Sequence, residues 1–317
     1  MIKDGFGRPI TSMRVSITSR CNFSCRYCHH EGMAAGSENE MTPEEIREIV
    51  AMGVRFGVKK VKITGGEPLV RKDVVDVIDR VSSIEGITDL SITTNGYYLE
   101  DYASDLKKAG LDRVNVSLDT LRPDVFKWIT GSDTYETVIK GIDAALEAEL
   151  TPLKINVVVM KGINDNEINS MLKSYSGREV IVQLIELVKS DSSMFRDYYF
   201  DLDNIEDEFR KRALEVHERR FMHGRRQYLL NGATVEIIKP MHNSYFCAHC
   251  TRLRVTSDGE FKPCLMRNDN HVDFLKILRS GVDKRELEKL FVKAVMRREP
   301  FFKPGSKERD MVELRTE

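Results

Sequence analysis

Two groups of closely spaced cysteines, one near each end, constrain this 317-residue chain more than any other feature of its sequence. Disulfide-stabilised scaffolds are usually short and secreted. Disulfide bonds within each group of three would also leave one cysteine of that group unpaired. Clustered thiols in a reducing compartment instead indicate metal binding. The first group is Cys21, Cys25 and Cys28, and the second is Cys247, Cys250 and Cys264.

The composition predicts a folded, soluble protein of about two domains, at roughly 100–200 residues per domain. Apolar residues make up 41% of the chain, and 49 Lys and Arg nearly balance 50 Asp and Glu. This balance argues against a general nucleic-acid or membrane-surface role. No apolar run approaches the ~20 residues of a membrane span, and the first ten residues contain no apolar signal region. We therefore expect a cytoplasmic protein that binds neither nucleic acid nor membranes.

Strand-like and helix-like segments alternate through about the first 185 residues and predict a parallel sheet. The first of six strands is Met13–Thr18 and the sixth is Val180–Ile185. Thr42–Gly57 is a predicted helix, because Thr42 and Glu45 have capping-box spacing. The pattern leaves open a doubly wound sheet and a partial or closed barrel. In each, functional side chains collect at the carboxyl ends of the strands.

The pattern changes after the sixth strand. Residues 189–203 are polar and aromatic and predict a linker, and Ile205–Phe221 predicts a charged helix. Asn231–Gly232 and Asp258–Gly259 are expected to turn two hairpins, followed by a closing helix at Glu286–Arg298. We therefore divide the chain into a barrel-like region of residues 1–188, a second region of residues 189–300 and a flexible tail of residues 301–317.

The first cysteine group has the spacing C-x3-C-x2-C and follows the first predicted strand. Three thiolates without a fourth ligand suit a four-iron cluster that keeps one iron open, and cluster-binding cysteine runs have short spacings. Tetrahedral zinc takes four ligands, so a zinc ion would also need His29 or His30. Spacing alone leaves a cluster, zinc and coincidence open.

The second cysteine group spans the hairpin turned at Asp258–Gly259. Strand pairing would place Cys250 roughly 10 Å from Cys264, at ~3.3 Å per residue. A disulfide needs Cα atoms within ~7 Å, so the thiols are better suited to surround a cluster. Spacing alone leaves a structural zinc open as well, and its candidate fourth ligands are His242, His249 and His271.

Two arginines follow the second group at alternating positions. Cys250, Arg252 and Arg254 alternate with Thr251 and Leu253, so strand parity predicts that the three share one face. Two guanidinium groups beside a metal site indicate an anionic ligand, and phosphate matches their geometry.

Several segments together resemble one enzyme family. Tyr27 precedes the third cysteine, and Gly65-Gly66-Glu67-Pro68 follows the second strand, as in radical S-adenosylmethionine enzymes. The sequence is similar to the GTP 3′,8-cyclases of molybdenum cofactor biosynthesis within that superfamily, from about Gly5 to Arg298. The matching segments are RVSITSRCNFSCRYC, KITGGEPLVRKD, ITTNG, RVNVSLDTL, VVVMKGIND and FCAHCTRLRVTSDGEFKPCL.

The resemblance implies an α/β fold: a partial (β/α)6 TIM-like barrel of the radical S-adenosylmethionine type, with a C-terminal α+β region. It implies that each cysteine group holds a 4Fe-4S cluster. The first cluster would bind S-adenosylmethionine and cleave it to methionine and a 5′-deoxyadenosyl radical. The radical would remove hydrogen from C3′ of GTP, and C3′ would attack C8 of the guanine, which the second cluster binds. The product, 3′,8-cyclo-7,8-dihydro-GTP, would pass to cyclic pyranopterin monophosphate synthase.

The resemblance also assigns individual site residues. A cellular one-electron reductant is implied as a partner, and a homodimer stays open. The implied S-adenosylmethionine contacts are Tyr27, Gly66 and Ser117. The implied GTP contacts are Arg14, Lys62, Thr93, Lys161, Arg252 and Arg254.

The sequence departs from the family pattern at four places. Lys62 and Gln183 stand where arginines are expected, Val188 stands where a cofactor-contacting methionine is expected, and no Gly-Gly tail follows Gly305. One alternative is another radical S-adenosylmethionine enzyme with an auxiliary cluster that acts on a different small molecule or a peptide. The other is a non-catalytic zinc protein that binds nucleic acid, against which the near-neutral charge argues.

Overall fold

A computed structural model describes residues 1–33, 39–189, 192–219 and 222–303. Six parallel strands occupy the centre of a twelve-stranded sheet, and each pairs with the next in the chain. These strands confirm the predicted series of six β units. They are β1 Ser12–Ser16, β2 Lys60–Thr64, β3 Asp89–Thr94, β4 Arg113–Ser117, β5 Leu153–Val159 and β6 Val180–Glu186.

Helices connect the six strands, and a continuous hydrophobic core joins them to the sheet. The capping box predicted for the first helix is present: the Thr42 hydroxyl accepts from Glu45 N, and the Glu45 carboxylate accepts from Thr42 N. One helix, at residues 123–130, lies where the sequence predicted no element. The connecting helices are α1 Pro43–Arg55, α2 Val74–Ser82, α3 Leu99–Lys108, α4 Pro123–Thr130, α5 Tyr135–Glu147 and α6 Ile168–Ser174.

The C-terminal region extends both edges of the central strands. One hairpin pairs in parallel with β1 and the other pairs in parallel with β6. Both hairpins turn where the sequence predicts, at Gly232 and Gly259, whose φ values of +81° and +78° favour glycine. The added strands are β7 Glu215–Arg219, β8 Arg225–Leu230, β9 Ala233–Ile238, β10 Arg252–Val255, β11 Glu260–Lys262 and β12 Val272–Asp273.

The six units form a partial barrel, since β1 and β6 do not pair with each other among the described residues. No helix in these ranges combines the length and apolar character of a membrane span. Of the tail predicted at residues 301–317, the portion 304–317 lies outside the described residues. The C-terminal helices are α7 Ser192–Tyr198, α8 Asp203–Arg212, α9 Ser244–Ala248, α10 Leu275–Arg279 and α11 Lys284–Met296.

Two sequence predictions after the sixth strand are wrong. The helix expected over Ile205–Phe221 ends at Arg212, because residues 215–219 form β7 and pair with β8 at the edge of the sheet. The expected linker at 189–203 contains α7, whose Phe195 is buried beside Leu187 and Met241. Both segments take their structure from partners outside the segment, β8 for β7 and the Leu187–Met241 cluster for α7, so the pattern within each segment did not reveal it.

Candidate active site

One face of the barrel strands lines a cavity of about 300 Å³, a volume typical of small-molecule sites. Side chains two residues apart point into it, as strand parity requires. Asn115 and Ser117 of β4 do so, and so does the β5 pair Asn156 and Val158. The sequence predicted functional side chains at the strand ends, whereas β4 and β5 line the cavity along most of their length.

The cavity is strongly cationic. Burial, opposed by Glu31 and reinforced by the neighbouring Arg254 and Arg225, lowers the pKa of Arg14 to about 10. Burial, followed by the charge of Arg113, holds the pKa of Lys62 well below its usual value. Crowded, buried like charges are costly, so this lining favours an anionic ligand. The cations that line the cavity are Arg8, Arg14, Lys62, Arg113, Lys154, Arg225, Arg252 and Arg254.

Glu31 partly neutralises these cations. Its carboxylate lies 3.0 Å from Arg14 Nη1 and 2.7 Å from Arg254 Nη1. Burial acts to raise the pKa of Glu31, but the two arginines outweigh it and lower the pKa to about 2. Arg252 also lines the cavity and, among the described residues, forms no ion pair with a carboxylate.

Several buried polar atoms of the lining have no hydrogen-bond partner in the described part of the chain. They are Arg14 Nε, His29 Nδ1, Thr93 Oγ1, Asn156 Oδ1, His223 Nδ1 and Arg225 Nε. Unsatisfied buried polar atoms are rare in folded proteins because each costs roughly 1–3 kcal/mol. Their concentration around one cavity indicates a polar ligand.

A second charged network lies beside β5 and β6. The buried Glu236 carboxylate accepts from Lys154 Nζ at 2.8 Å and from Gln183 Nε2 at 2.7 Å, and its Oε1 lies 3.6 Å from Arg225 Nη1. These cations lower the pKa of Glu236 against the opposing effect of burial. Glu236 therefore pairs with two of the cations that line the cavity, Lys154 and Arg225.

The first cysteine group follows β1, and the residues that lead into it contact the Gly65–Pro68 turn that follows β2. Glu67 N donates to Arg20 O at 2.7 Å, and a Cβ at Gly66 would lie 2.2 Å from the same oxygen, so only glycine fits there. The structure therefore joins the two motifs that the sequence associates. Burial raises the pKa of Glu67 to about 7.

All six cysteines are free thiols. Burial raises the pKa of Cys21, Cys25 and Cys28, and the charge of Cys28 raises the values of the other two further. The three thiols therefore lie near enough to interact. Cys21 and Cys28 are exposed and Cys25 is half-buried, and none of the three is part of the cavity lining.

Tyr27 links the first cysteine group to the cavity. Its side chain lines the cavity, and its hydroxyl donates to Asp119 Oδ2 at 2.7 Å. The other Asp119 oxygen accepts from Val158 N at 2.8 Å, and burial raises the pKa of Asp119 to about 6. Ser117, two residues before Asp119, lines the same cavity, whereas Gly66 does not.

The second cysteine group lines the cavity directly. Cys247 lies in α9, Cys250 follows that helix, and Cys264 follows β11. Arg252 and Arg254 line the cavity with Cys250, as strand parity predicts, while Thr251 and Leu253 are buried on the other side. Burial acts to raise the pKa of Cys250, but the charge of Arg298 and other groups lowers it overall.

The donor chemistry of both groups fits an iron–sulfur cluster. Such clusters take cysteine thiolates as ligands. Each group presents three free thiols. The cavity that the second group lines also contains unsatisfied polar atoms, which a bound ligand would meet.

The structure does not bring every predicted GTP contact into the cavity. Arg14, Lys62, Thr93, Arg252 and Arg254 line it. Lys161 is exposed at the turn after β5 and is outside the lining. Sequence reasoning missed several lining residues, although alternation along β5 could have revealed two of them. The missed polar residues include Arg8, Glu31, Arg113, Lys154, Asn156, His223 and Arg225.

Comparison with known proteins gives two family matches. Residues 15–174 match the Radical SAM superfamily, and residues 180–304 match Molybdenum Cofactor Synthesis C. Solved structures of low sequence identity share the fold. Streptococcus suis SuiB bound to S-adenosylmethionine has a TM-score of 0.64 at 15% identity, with 87% of this chain and 66% of that chain covered. Native anSMEcpe with bound AdoMet has a TM-score of 0.60 at 16% identity, with 87% and 80% covered.

Curated relatives match nearly the whole chain. A probable GTP 3′,8-cyclase of Thermococcus kodakarensis is 47% identical over 311 residues, which cover 96% of this chain and 100% of the relative. Another, of Methanosarcina acetivorans, is 48% identical over 315 residues, which cover 96% and 91%. A third, of Methanocaldococcus jannaschii, is 47% identical over 302 residues, which cover 95% and 99%. This chain belongs to the GTP 3′,8-cyclase family of the radical S-adenosylmethionine superfamily.

Proposed function

We infer that this chain is a GTP 3′,8-cyclase. It would convert GTP to (8S)-3′,8-cyclo-7,8-dihydroguanosine 5′-triphosphate, in molybdenum cofactor biosynthesis. The observation that carries this inference is the shared lining of one cavity. Tyr27 and Ser117, two of the expected S-adenosylmethionine contacts, line it together with the thiols of the second group and Arg252, which has no carboxylate ion pair in the described ranges. A radical precursor and an anionic substrate can therefore meet in one space.

One set of residues would hold the first cluster and S-adenosylmethionine. Cys21, Cys25 and Cys28 would hold the first 4Fe-4S cluster, which when bound supplies the electron that cleaves S-adenosylmethionine to methionine and a 5′-deoxyadenosyl radical. Gly66 lets the backbone after β2 approach closely, and its N–H donates to Thr18 O at 2.8 Å. The Asp119 carboxylate fixes the Tyr27 hydroxyl against the cavity wall.

The cationic lining would bind the triphosphate. Arg14, Arg252 and Arg254 offer guanidinium groups suited to paired hydrogen bonds with phosphate oxygens, and Lys62 adds a point charge. Thr93 Oγ1 supplies a further donor or acceptor without a protein partner in the described ranges. The exposed Lys161 would bind the nucleotide only by extending toward the cavity mouth.

The second cysteine group would hold the other 4Fe-4S cluster beside the bound nucleotide. Its residues, Cys247, Cys250 and Cys264, share the cavity with the arginines, so guanine and triphosphate would occupy neighbouring parts of one site. Holding both ends of the nucleotide restricts the distance between its ribose C3′ and base C8. Positioning of this kind lowers the barrier to an intramolecular bond.

The reaction class also defines partners. A one-electron reductant must supply the electron for S-adenosylmethionine cleavage, and cyclic pyranopterin monophosphate synthase would take the product. Clusters held by thiolates suit a reducing compartment, in line with a cytoplasmic location. A homodimer stays a prediction that sedimentation of the purified chain would test.

Anaerobic incubation tests the function. The reconstituted protein is mixed with reductant, S-adenosylmethionine and GTP, and the nucleotide is analysed by mass spectrometry and NMR. We expect 5′-deoxyadenosine and a GTP isomer with a C3′–C8 bond. ATP in place of GTP is the control. Failure to bind GTP better than ATP, or 5′-deoxyadenosine without a modified nucleotide, would remove the proposal in favour of another radical S-adenosylmethionine reaction.

A further inference from the structure

A buried charged triad joins the two ends of the described chain. Asp4, Arg8 and Arg298 are 5%, 6% and 1% exposed. The Asp4 carboxylate lies 2.8 Å from Arg8 Nε and 2.9 Å from Arg298 Nη1. Buried ionised side chains are costly and rarely occur without a specific set of partners.

Each arginine of the triad also donates to a carbonyl of the second cysteine group. Arg8 Nη1 donates to Cys247 O at 2.8 Å, and Arg298 Nη2 donates to Cys250 O at 2.5 Å. These cysteines form one turn, in which Cys250 N donates to Cys247 O at 3.2 Å. The triad therefore fixes both ends of the turn that carries two of the three thiols.

The triad is not electrically neutral. Two guanidinium groups face one carboxylate, which leaves one positive charge in excess at a buried position. Arg298 Nε also has no hydrogen-bond partner in the described ranges. An excess cation in the interior is favoured when an anionic group lies nearby, and three thiolates that share a cluster form such a group.

We propose that Arg8 and Arg298, bridged by Asp4, are positioning residues that hold the Cys247–Cys250 turn ready for the second iron–sulfur cluster and stabilise its reduced form. This inference rests on the proposed function, which assigns a cluster to that cysteine group. Hydrogen bonds to the cysteine carbonyls fix the direction of the thiols. The excess positive charge favours the more negative, reduced cluster and so raises its reduction potential.

The test compares Arg298→Gln with Arg297→Gln in the full chain after anaerobic reconstitution. Arg297 is the matched control: it also donates to a backbone carbonyl, His271 O at 2.7 Å, but it is exposed and outside the triad. Iron and sulfide are counted, and each cluster is followed by EPR during a redox titration. Addition of S-adenosylmethionine identifies the first cluster by its perturbed signal.

We expect Arg297→Gln to match the wild type, at about eight irons per chain. Arg298→Gln should lose iron from the second cluster, toward about four irons, or retain that cluster with a more negative reduction potential. The first cluster should keep its signal and its response to S-adenosylmethionine. Arg298→Lys retains the charge, so it should restore the potential.

Three results would overturn the inference. The first is a wild-type iron content with an unchanged potential in Arg298→Gln. The second is equal loss of both clusters, which would show a general folding role. The third is no difference between Gln and Lys at this position. Arg8→Gln provides a second variant that leaves Arg298 and Asp4 paired. A wild-type protein with about four irons would instead contradict the proposed function itself, so the two failures are distinguishable.

Discussion

Neutralising Glu31 is expected to destabilise the protein and to strengthen GTP binding at the same time. The carboxylate lies between Arg14 and Arg254, at 3.0 and 2.7 Å. A triphosphate in the cavity would need the same two guanidinium groups. Glu31 is therefore both a stabilising partner of the arginines and a competitor of the substrate.

The magnitude follows from the pKa of Glu31. Although burial opposes ionisation, the two arginines lower this pKa to about 2, against an ordinary value of 4.5. The depressed pKa corresponds to roughly 3 kcal/mol of folding free energy at pH 7. This contribution is present above about pH 4.5 and is lost as the pH falls toward 2. The pKa of Arg14 stays lowered, to about 10, so Glu31 does not fully offset the burial of that cation.

Glu31→Gln should therefore lower the free energy of unfolding at pH 7 by about 3 kcal/mol. If the nucleotide must displace the carboxylate, the same variant should bind GTP more tightly, by up to about a hundredfold at 1.4 kcal/mol per factor of ten. Denaturant titration and isothermal calorimetry measure the two quantities. Glu44→Gln is the control, because Glu44 forms ion pairs on the exposed surface with Arg47 and Arg80. Weaker GTP binding by Glu31→Gln would refute the competition and show that Glu31 orients the arginines for substrate.

Three further variants probe other parts of the site. Cys21→Ala should abolish S-adenosylmethionine cleavage, measured as 5′-deoxyadenosine, because the first cluster loses a ligand; appreciable cleavage would exclude Cys21 as a ligand. Arg252→Ala should weaken GTP affinity about 10- to 100-fold with an unchanged first-cluster signal, and normal turnover at low GTP would contradict the parity argument. Burial raises the pKa of Glu186 to about 7, so the free energy of unfolding falls as the pH rises from 4.5 through 7. Glu186→Gln should accordingly raise the free energy of unfolding by roughly 3 kcal/mol at pH 8 and by much less at pH 5, and equal effects at both pH values would refute this pKa.

Local sequence patterns predicted the parts of the structure that depend on near neighbours. The capping box of α1 and the glycine turns of both hairpins are set within a few residues. Alternation along β10 was sufficient to place Arg252 and Arg254 with Cys250, because a strand has only two faces. The same reasoning failed for β7, whose strand conformation depends on pairing with β8.

The site residues that were missed reach the cavity through tertiary contacts. Glu31 has a φ of +53°, an uncommon conformation for a glutamate, and it meets Arg254 across 223 residues of sequence. Arg298 meets Cys250 only because α11 ends beside the N-terminal segment. No periodicity or spacing relates such pairs, so they become visible only when the fold is known.

Gln183, which departs from the family pattern, has an uncharged side chain that polar neighbours hold in place. Its position on β6 faces the cavity, where the family pattern predicts a cation. Lys154, on the adjacent strand β5, lines the same cavity, and both side chains donate to Glu236. Asn115 donates to the Gln183 carbonyl oxygen at 3.2 Å, so the amide is held from both ends. Beside Gln183 the cavity is therefore lined by Lys154 of the neighbouring strand, whose charge is paired with Glu236.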